Sequence, residues 1–119
     1  MLDSIRVLYV EDDERLARPT VESLELEGHE VHVVPRGDLA VADVARIRPD
    51  VVVLDLSCAG VDVCRQLRAR YAAPIIMVTE RAGDHGADAY LEKPLQPGEL
   101  LARIRTHARR RKIATLPPV

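Results

Sequence analysis

The chain has 119 residues, enough for one compact domain with its own core and too few for two. Hydrophobic residues make up 47% and charged residues 30%, which excludes extended disorder, and the formal net charge of -2 excludes a generally basic protein that coats nucleic acid. With three tyrosines and no phenylalanine or tryptophan it has no aromatic platform for single-stranded nucleic acid, and no apolar run approaches the roughly 20 residues that cross a bilayer.

Ile5 to Val10 is an apolar run rich in β-branched residues and too short for a helix, so it reads as a buried strand. Leu16, Thr20 and Leu24 follow at helical spacing. Pro19 conflicts with that helix, so a late start or a kink near Arg15 is expected, because the Arg15 carbonyl loses its partner. Val31 to Val34 forms a short second strand closed by Pro35, and Ala40, Val44 and Ile47 mark a second helix. Val51 to Leu54 is a third strand, followed by helical Cys64, Leu67 and Tyr71. Ile75 to Val78 is a fourth strand, Ala89 to Leu91 a short fifth that stops before Pro94, and Leu101, Ile104 and Ala108 a last helix. Gly28, Gly37 and Pro49 punctuate the series, and the alternation implies a parallel sheet with helices on both faces.

One interval is too short for that scheme. Only Glu80 to Asp88 separate the fourth strand from the fifth, whereas a parallel crossover normally takes a dozen or more residues. Extended residues in that number still span up to about 30 Å, so the connection closes with its helix absent or reduced to one turn. Cys58 and Cys64 lack the spacing of redox or zinc sites and read as buried or incidental thiols.

In open α/β sheets ligands collect beyond the carboxyl ends of the strands. Glu11, Asp12 and Asp13 follow the first strand, Asp55 ends the third, Thr79 ends the fourth and Lys93 follows the fifth. Crowded carboxylates repel, so a hard divalent cation is implied, and Mg²⁺ suits oxygen ligands that leave room for water and phosphate. An ionised Asp55 can attack phosphorus to give an acyl phosphate, with Lys93, the Thr79 hydroxyl and the cation stabilising the phosphoryl oxygens. Asp13 suits the N-cap of the first helix, which leaves Glu11 and Asp12 for the metal.

The segments Val7-Leu8-Tyr9-Val10-Glu11-Asp12-Asp13, Pro49 to Leu56, Pro74 to Thr79 and Gly86 to Pro94 resemble the receiver domains of two-component response regulators over nearly the whole chain. The resemblance implies a flavodoxin-like sheet of order 2-1-3-4-5 and a phosphoryl group taken from a histidine kinase. By it, Glu11 and Asp12 are the acidic pair, Asp55 the phosphoacceptor and Ser57 a backbone-carbonyl metal ligand. Thr79 is the switch hydroxyl, Lys93 the phosphate-sensing cation, and Lys93-Pro94 a cis peptide. Thr79 is also an ordinary strand former, and Tyr90 is either the aromatic switch residue or a packing residue.

Pro97 to Arg105 is similar to the last helix of the winged-helix (OmpR/PhoB-like) subclass of transcriptional regulators, which implies a covalently linked DNA-binding domain outside this chain. Residues 1–111 then form the receiver and 112–119 a linker, with no nucleic-acid contact or membrane span expected and a cytoplasmic location. Arg109 to Lys112 reads as a solvated helix end, where cations suit the dipole.

The sequence departs from the family in three places. The loop Ser57 to Val61 is roughly three residues short, where closure is stiff. Glu80 stands where the family has a small residue and adds a negative charge beside the site. The missing helix belongs to the surface through which active dimers pair, so a homodimer is expected to be weak or rearranged, and the apolar groups of the last two strands need another cover, either a mobile loop or a second protein. Two functions are weighed: a phosphorylation switch that catalyses its own phosphoryl gain and loss, and a phosphorylation-independent binding or dimerisation module. An aspartyl phosphatase is disfavoured, since Asp55 is followed by Leu56 and Ser57 and not by a second Asp two residues on.

Overall fold

The computed structural model describes residues 4–55, 60–80, 86–96 and 98–114. Among the described residues nine elements follow one another: β1 (Arg6–Glu11), α1 (Glu14–Leu26), β2 (Glu30–Val34), α2 (Gly37–Ile47), β3 (Val51–Asp55), α3 (Gly60–Arg70), β4 (Ile75–Thr79), β5 (Ala89–Glu92) and α4 (Glu99–Ala114). All strand pairs are parallel, in the order β2-β1-β3-β4-β5. The doubly wound architecture read from the alternation is therefore the one observed.

Successive side chains of a strand point to opposite faces, and both faces here are apolar. Val7, Tyr9, Val51, Val53, Ile76, Val78 and Leu91 meet Ala17 and Leu24 of α1 and Leu100, Ile104 and Ala108 of α4. Leu8, Val10, Val52, Leu54, Ile75 and Met77 meet Ala40, Val44 and Ile47 of α2 and Val63, Cys64 and Leu67 of α3. Against α3, α2 comes so close at Gly37 that a Cβ there would lie 2.3 Å from Val63 Cγ2. Only a residue without a side chain fits.

Helix α1 differs from expectation. It starts at Glu14, capped by the Asp13 carboxylate accepting from the Arg15 N–H at 3.0 Å, and runs through Pro19 without the late start. The capping bond satisfies an orphan donor at the first turn, and burial of Ala17 and Leu24 holds the helix past the proline. Its inward stripe is Ala17, Val21 and Leu24, so Leu16, one residue out of phase, is 63% exposed.

The short crossover carries no helix among its described residues, yet Ile75, Ile76, Met77, Val78 and Leu91 are all buried. Part of their cover comes from within the chain: Gly60, at the start of α3, lies beside the Sδ and Cε of Met77, and Tyr90 packs against the same layer. Arg68 of α3 ties the connection down, donating from Nε to the Gly86 carbonyl at 2.8 Å and from Nη2 to Asp88 Oδ2 at 2.6 Å.

At the other end of the chain α4 continues to Ala114, beyond the boundary placed at residue 111. Its basic end is not simply solvated. Arg111 donates to the Tyr71 hydroxyl at 2.9 Å and the Ala72 carbonyl at 3.1 Å, and Lys112 Nζ lies 3.4 Å from Asp50 Oδ2. Cys64 is a buried free thiol, while Cys58 lies outside the described residues. No helix among the described residues is long and apolar enough to cross a membrane.

Candidate phosphoacceptor site

Parallel strands end together, so register decides which side chains share the carboxyl rim. Glu11 pairs with Asp55 across β1 and β3, and Thr79 with Glu92 across β4 and β5. The alternation that turns Val7, Tyr9, Val51 and Val53 towards α1 and α4 turns Glu11 and Asp55 to that same face. Lys93 is held at the rim because its N–H donates to the Thr79 carbonyl at 2.8 Å, extending the β4–β5 pairing by one bond.

From there the Lys93 ammonium reaches across β4 to Asp55: Nζ lies 2.7 Å from Oδ1, with the Asp55 side chain only 11% exposed. This is a short charge-assisted contact in a half-dry setting, where it is stronger than in water. The hydrogen bond to Asp55 holds the Lys93 amine above its ordinary range, and the charges of Asp55, Glu11 and Glu80 act in the same direction against partial burial. The Lys93–Pro94 peptide is cis.

Glu11 is 2% exposed, the one buried charged side chain among the described residues. Its Oε1 accepts from the Asp13 N–H at 3.0 Å, whereas Oε2 is buried with no hydrogen-bond partner among the described residues. Burial pushes the Glu11 carboxyl up to about 8, with the neighbouring carboxyls of Asp55 and Asp12 adding to the shift and the Asp13 N–H opposing it. The same burial, with the charges of Asp55 and Glu11, raises the phenol of Tyr9 beneath them, against a hydrogen bond with Thr20.

A raised acid binds its proton in the folded state when the unfolded chain has released it, so stability falls as pH rises between about 4.5 and 8. In chelator-treated protein, thermal melts across that window should therefore show a downward slope that Glu11→Gln reduces. An unchanged slope in the variant would remove Glu11 as its source.

These features fit a divalent cation. Two carboxylates stand side by side at the ends of neighbouring strands, and one buried oxygen lacks a donor among the described residues, a costly arrangement that a cation relieves. Asp12 is exposed, and among the described residues no three carboxylate, imidazole or thiol side chains converge tightly enough to enclose an ion. A cation held from one side keeps positions for water and phosphate oxygens, as Mg²⁺ does. Ser57, the expected backbone ligand, lies outside the described residues.

Tyr90 is half-buried, and its hydroxyl accepts from the Ala87 N–H at 2.9 Å, in the connection that replaces the crossover helix. Sequence reasoning placed Glu80 beside the site but missed its apolar walls. A cavity of about 610 Å³ opens above Asp55 and Lys93, lined also by Leu16, Glu80, Pro94 and Leu95. Leu16 is read from the sequence as an inward position with Thr20 and Leu24, so spacing alone gave no signal for its place at the cavity.

The sequence profile of the response regulator receiver domain matches residues 7–105. The chain is 46% identical over 115 residues to the sensory transduction protein RegX3 of Mycobacterium tuberculosis (strain ATCC 25618 / H37Rv), covering 87% of this chain and 51% of that protein. It is 40% identical over 116 residues to the DNA-binding response regulator MtrA of Mycobacterium leprae (strain TN), covering 88% and 52%. The chain thus spans about half the length of the curated relatives it matches. Among solved structures, the BeF3-activated N-terminal receiver domain of Klebsiella pneumoniae RstA superposes with a TM-score of 0.75 at 35% identity, covering 87% of this chain and 98% of that one. The signal receiver domain of a putative LuxO repressor protein from Vibrio parahaemolyticus superposes with a TM-score of 0.82 at 27% identity, covering 93% and 95%. With the fold, the strand-end chemistry and these matches in agreement, the chain belongs to the response regulator receiver domain family.

Proposed function

We propose that Asp55 accepts a phosphoryl group from a phosphohistidine of a histidine kinase and that the resulting acyl phosphate switches a linked effector. The observation that carries this reading is the Lys93–Asp55 contact at 2.7 Å beside a buried carboxylate oxygen that has no donor among the described residues. An Asp55 oxygen forms the new bond to phosphorus as the phosphorus–nitrogen bond breaks and its electron pair stays on the departing imidazole. Lys93 already stands at the carboxylate and would follow the charge onto the phosphoryl oxygens, while Thr79, which ends the neighbouring strand, would donate its hydroxyl. Mg²⁺, held by Glu11, Asp12 and Asp55 with the Ser57 carbonyl, would neutralise the charge that the incoming phosphoryl group adds to this acidic rim.

The effector we infer is a winged-helix DNA-binding domain following α4, since RegX3 and MtrA are about twice the length of the matched segment and MtrA is described as DNA-binding. The setting is the cytoplasm, where such a kinase presents its phosphohistidine. A homodimer through β5 and α4 would be weakened or rearranged, because no helix lies between β4 and β5 among the described residues.

A second reading, a phosphorylation-independent binding module, is favoured by one feature: the Glu80 carboxylate lines the cavity that the phosphoryl group must enter. Incubation with acetyl phosphate and Mg²⁺ distinguishes the two. Intact mass spectrometry should show the gain of one phosphoryl group in the wild type and none in Asp55→Asn, whereas an unmodified wild type would favour the module.

A further inference from the structure

Beyond Ala108 helix α4 has left the core. Leu100, Ile104 and Ala108 are its buried residues, and no side chain in residues 109–114 is buried, yet the helix continues to Ala114. A helix takes most of its stability from an apolar face packed on the rest of the fold, and a terminal stretch without one frays in water. The helix dipole favours every cation at this end alike, so it does not account for Arg111 and Lys112 being drawn in while Arg109 and Arg110 stay exposed.

Both inward cations turn to one carboxylate. Asp50, whose side chain is 13% exposed, lies 3.6 Å from Arg111 Nη1 through Oδ1 and 3.4 Å from Lys112 Nζ through Oδ2. The carboxylate is itself fixed at the foot of β1 and β3, because Oδ2 accepts from the Arg6 N–H at 2.8 Å and the Asp50 N–H donates to the Arg6 carbonyl at 2.7 Å. Arg111 is gripped from the end of α3 as well: it donates to the Tyr71 hydroxyl and the Ala72 carbonyl, with its guanidinium 5.3 Å from the Tyr71 ring centroid. Salt screens ion pairs sheltered in this way less than exposed ones.

We propose that Asp50 is a conformational latch: engaged, it carries α4 as a stiff rod through Ala114 and so fixes the line along which the chain leaves the sheet; released, residues 109–114 fray and that line is lost. The hold consists of charge-assisted contacts and one aromatic face in place of a buried apolar stripe, so it opens locally while Leu100, Ile104 and Ala108 keep the rest of the helix docked. Asp50 immediately precedes β3, the strand that ends in Asp55, so latch and phosphoacceptor stand at opposite ends of one strand. An effector following α4, which rests on the reading above, is held in one orientation by the engaged latch and turns freely when it is released.

Amide hydrogen exchange on the chain alone tests the latch without phosphate, metal or effector, so its failure is separate from failure of that reading. The amides of residues 112–114 bond to carbonyls four residues earlier and are protected only while the last turns hold. Asp50→Asn keeps an oxygen for the Arg6 N–H and removes the charge; exchange at residues 112–114 is expected to quicken about fivefold or more, with Ile104 and Ala108 changed by less than about twofold. Arg111→Gln, which leaves Asp50 and its bond to Arg6 in place, should do the same and keeps the test decisive if Asp50→Asn disturbs the foot of β3. Arg109→Gln removes an equal charge from the same helix end at an exposed position and should change exchange by less than about twofold. The proposal is overturned by unaltered exchange at residues 112–114 in either latch variant, by equal quickening in Arg109→Gln, or by quickening in Arg111→Gln that Ile104 shares equally.

Discussion

Lys93→Ala is expected to slow phosphoryl uptake from acetyl phosphate by about 10²–10³-fold, the usual cost of removing one preorganised charge donor from a transferring group. Lys93 is the cation that touches Asp55, at 2.7 Å, and both side chains are held at the rim by backbone pairing, Asp55 through β1 and Lys93 through the Thr79 carbonyl. Without the ammonium, three carboxylates face the incoming phosphoryl group with no fixed positive charge from the described strand ends. Lys93→Arg should restore only part of the rate, because the planar guanidinium cannot reproduce a compact point charge in this space. Initial rates by intact mass spectrometry at saturating Mg²⁺ provide the check. Uptake by Lys93→Ala within twofold of the wild type would show that the ion pair is structural only.

Glu80→Ala is expected to act in the opposite direction and speed uptake by about three- to tenfold. Two unit charges about 4 Å apart in water interact by about 1 kcal/mol, which is a factor of about five in rate, and Glu80 is exposed, so its effect stays near this aqueous limit. Because the effect is a screened repulsion, the advantage of the variant should shrink at 1 M salt, where the Debye length is about 3 Å. Glu80→Gln should match Glu80→Ala if charge is the cause. Equal rates for wild type and Glu80→Ala at low salt would show that Glu80 does not gate the site.

The legibility of the fold followed from period and length. Buried parallel strands such as Val51–Asp55 and Ile75–Thr79 leave little choice when they are apolar on both faces, and nine residues between β4 and β5 cannot hold a crossover helix. The strand-end residues were legible because parallel topology sends every carboxyl end to one rim. What sequence could not give was long-range and angular. The burial of Met77 depends on α3 leaning over it, and the pinning of Arg111 and Lys112 depends on Tyr71, Ala72 and Asp50, some forty to sixty residues earlier in the chain. The late start expected from Pro19 does not occur because a propensity argument counts the lost bond of Arg15 but not the tertiary burial of Ala17 and Leu24.

The proposed chemistry depends on Glu11 and Asp55 together drawing a doubly charged ion. The most direct measurement is a Mg²⁺ titration of the metal-free protein, followed through the amide resonances of residues 10–13 and 54–55. Saturable shifts at those positions are expected in the wild type, with the affinity reduced by an order of magnitude or more in Glu11→Gln. Unmoved resonances throughout the titration, or an affinity indifferent to the loss of the Glu11 charge, would contradict it.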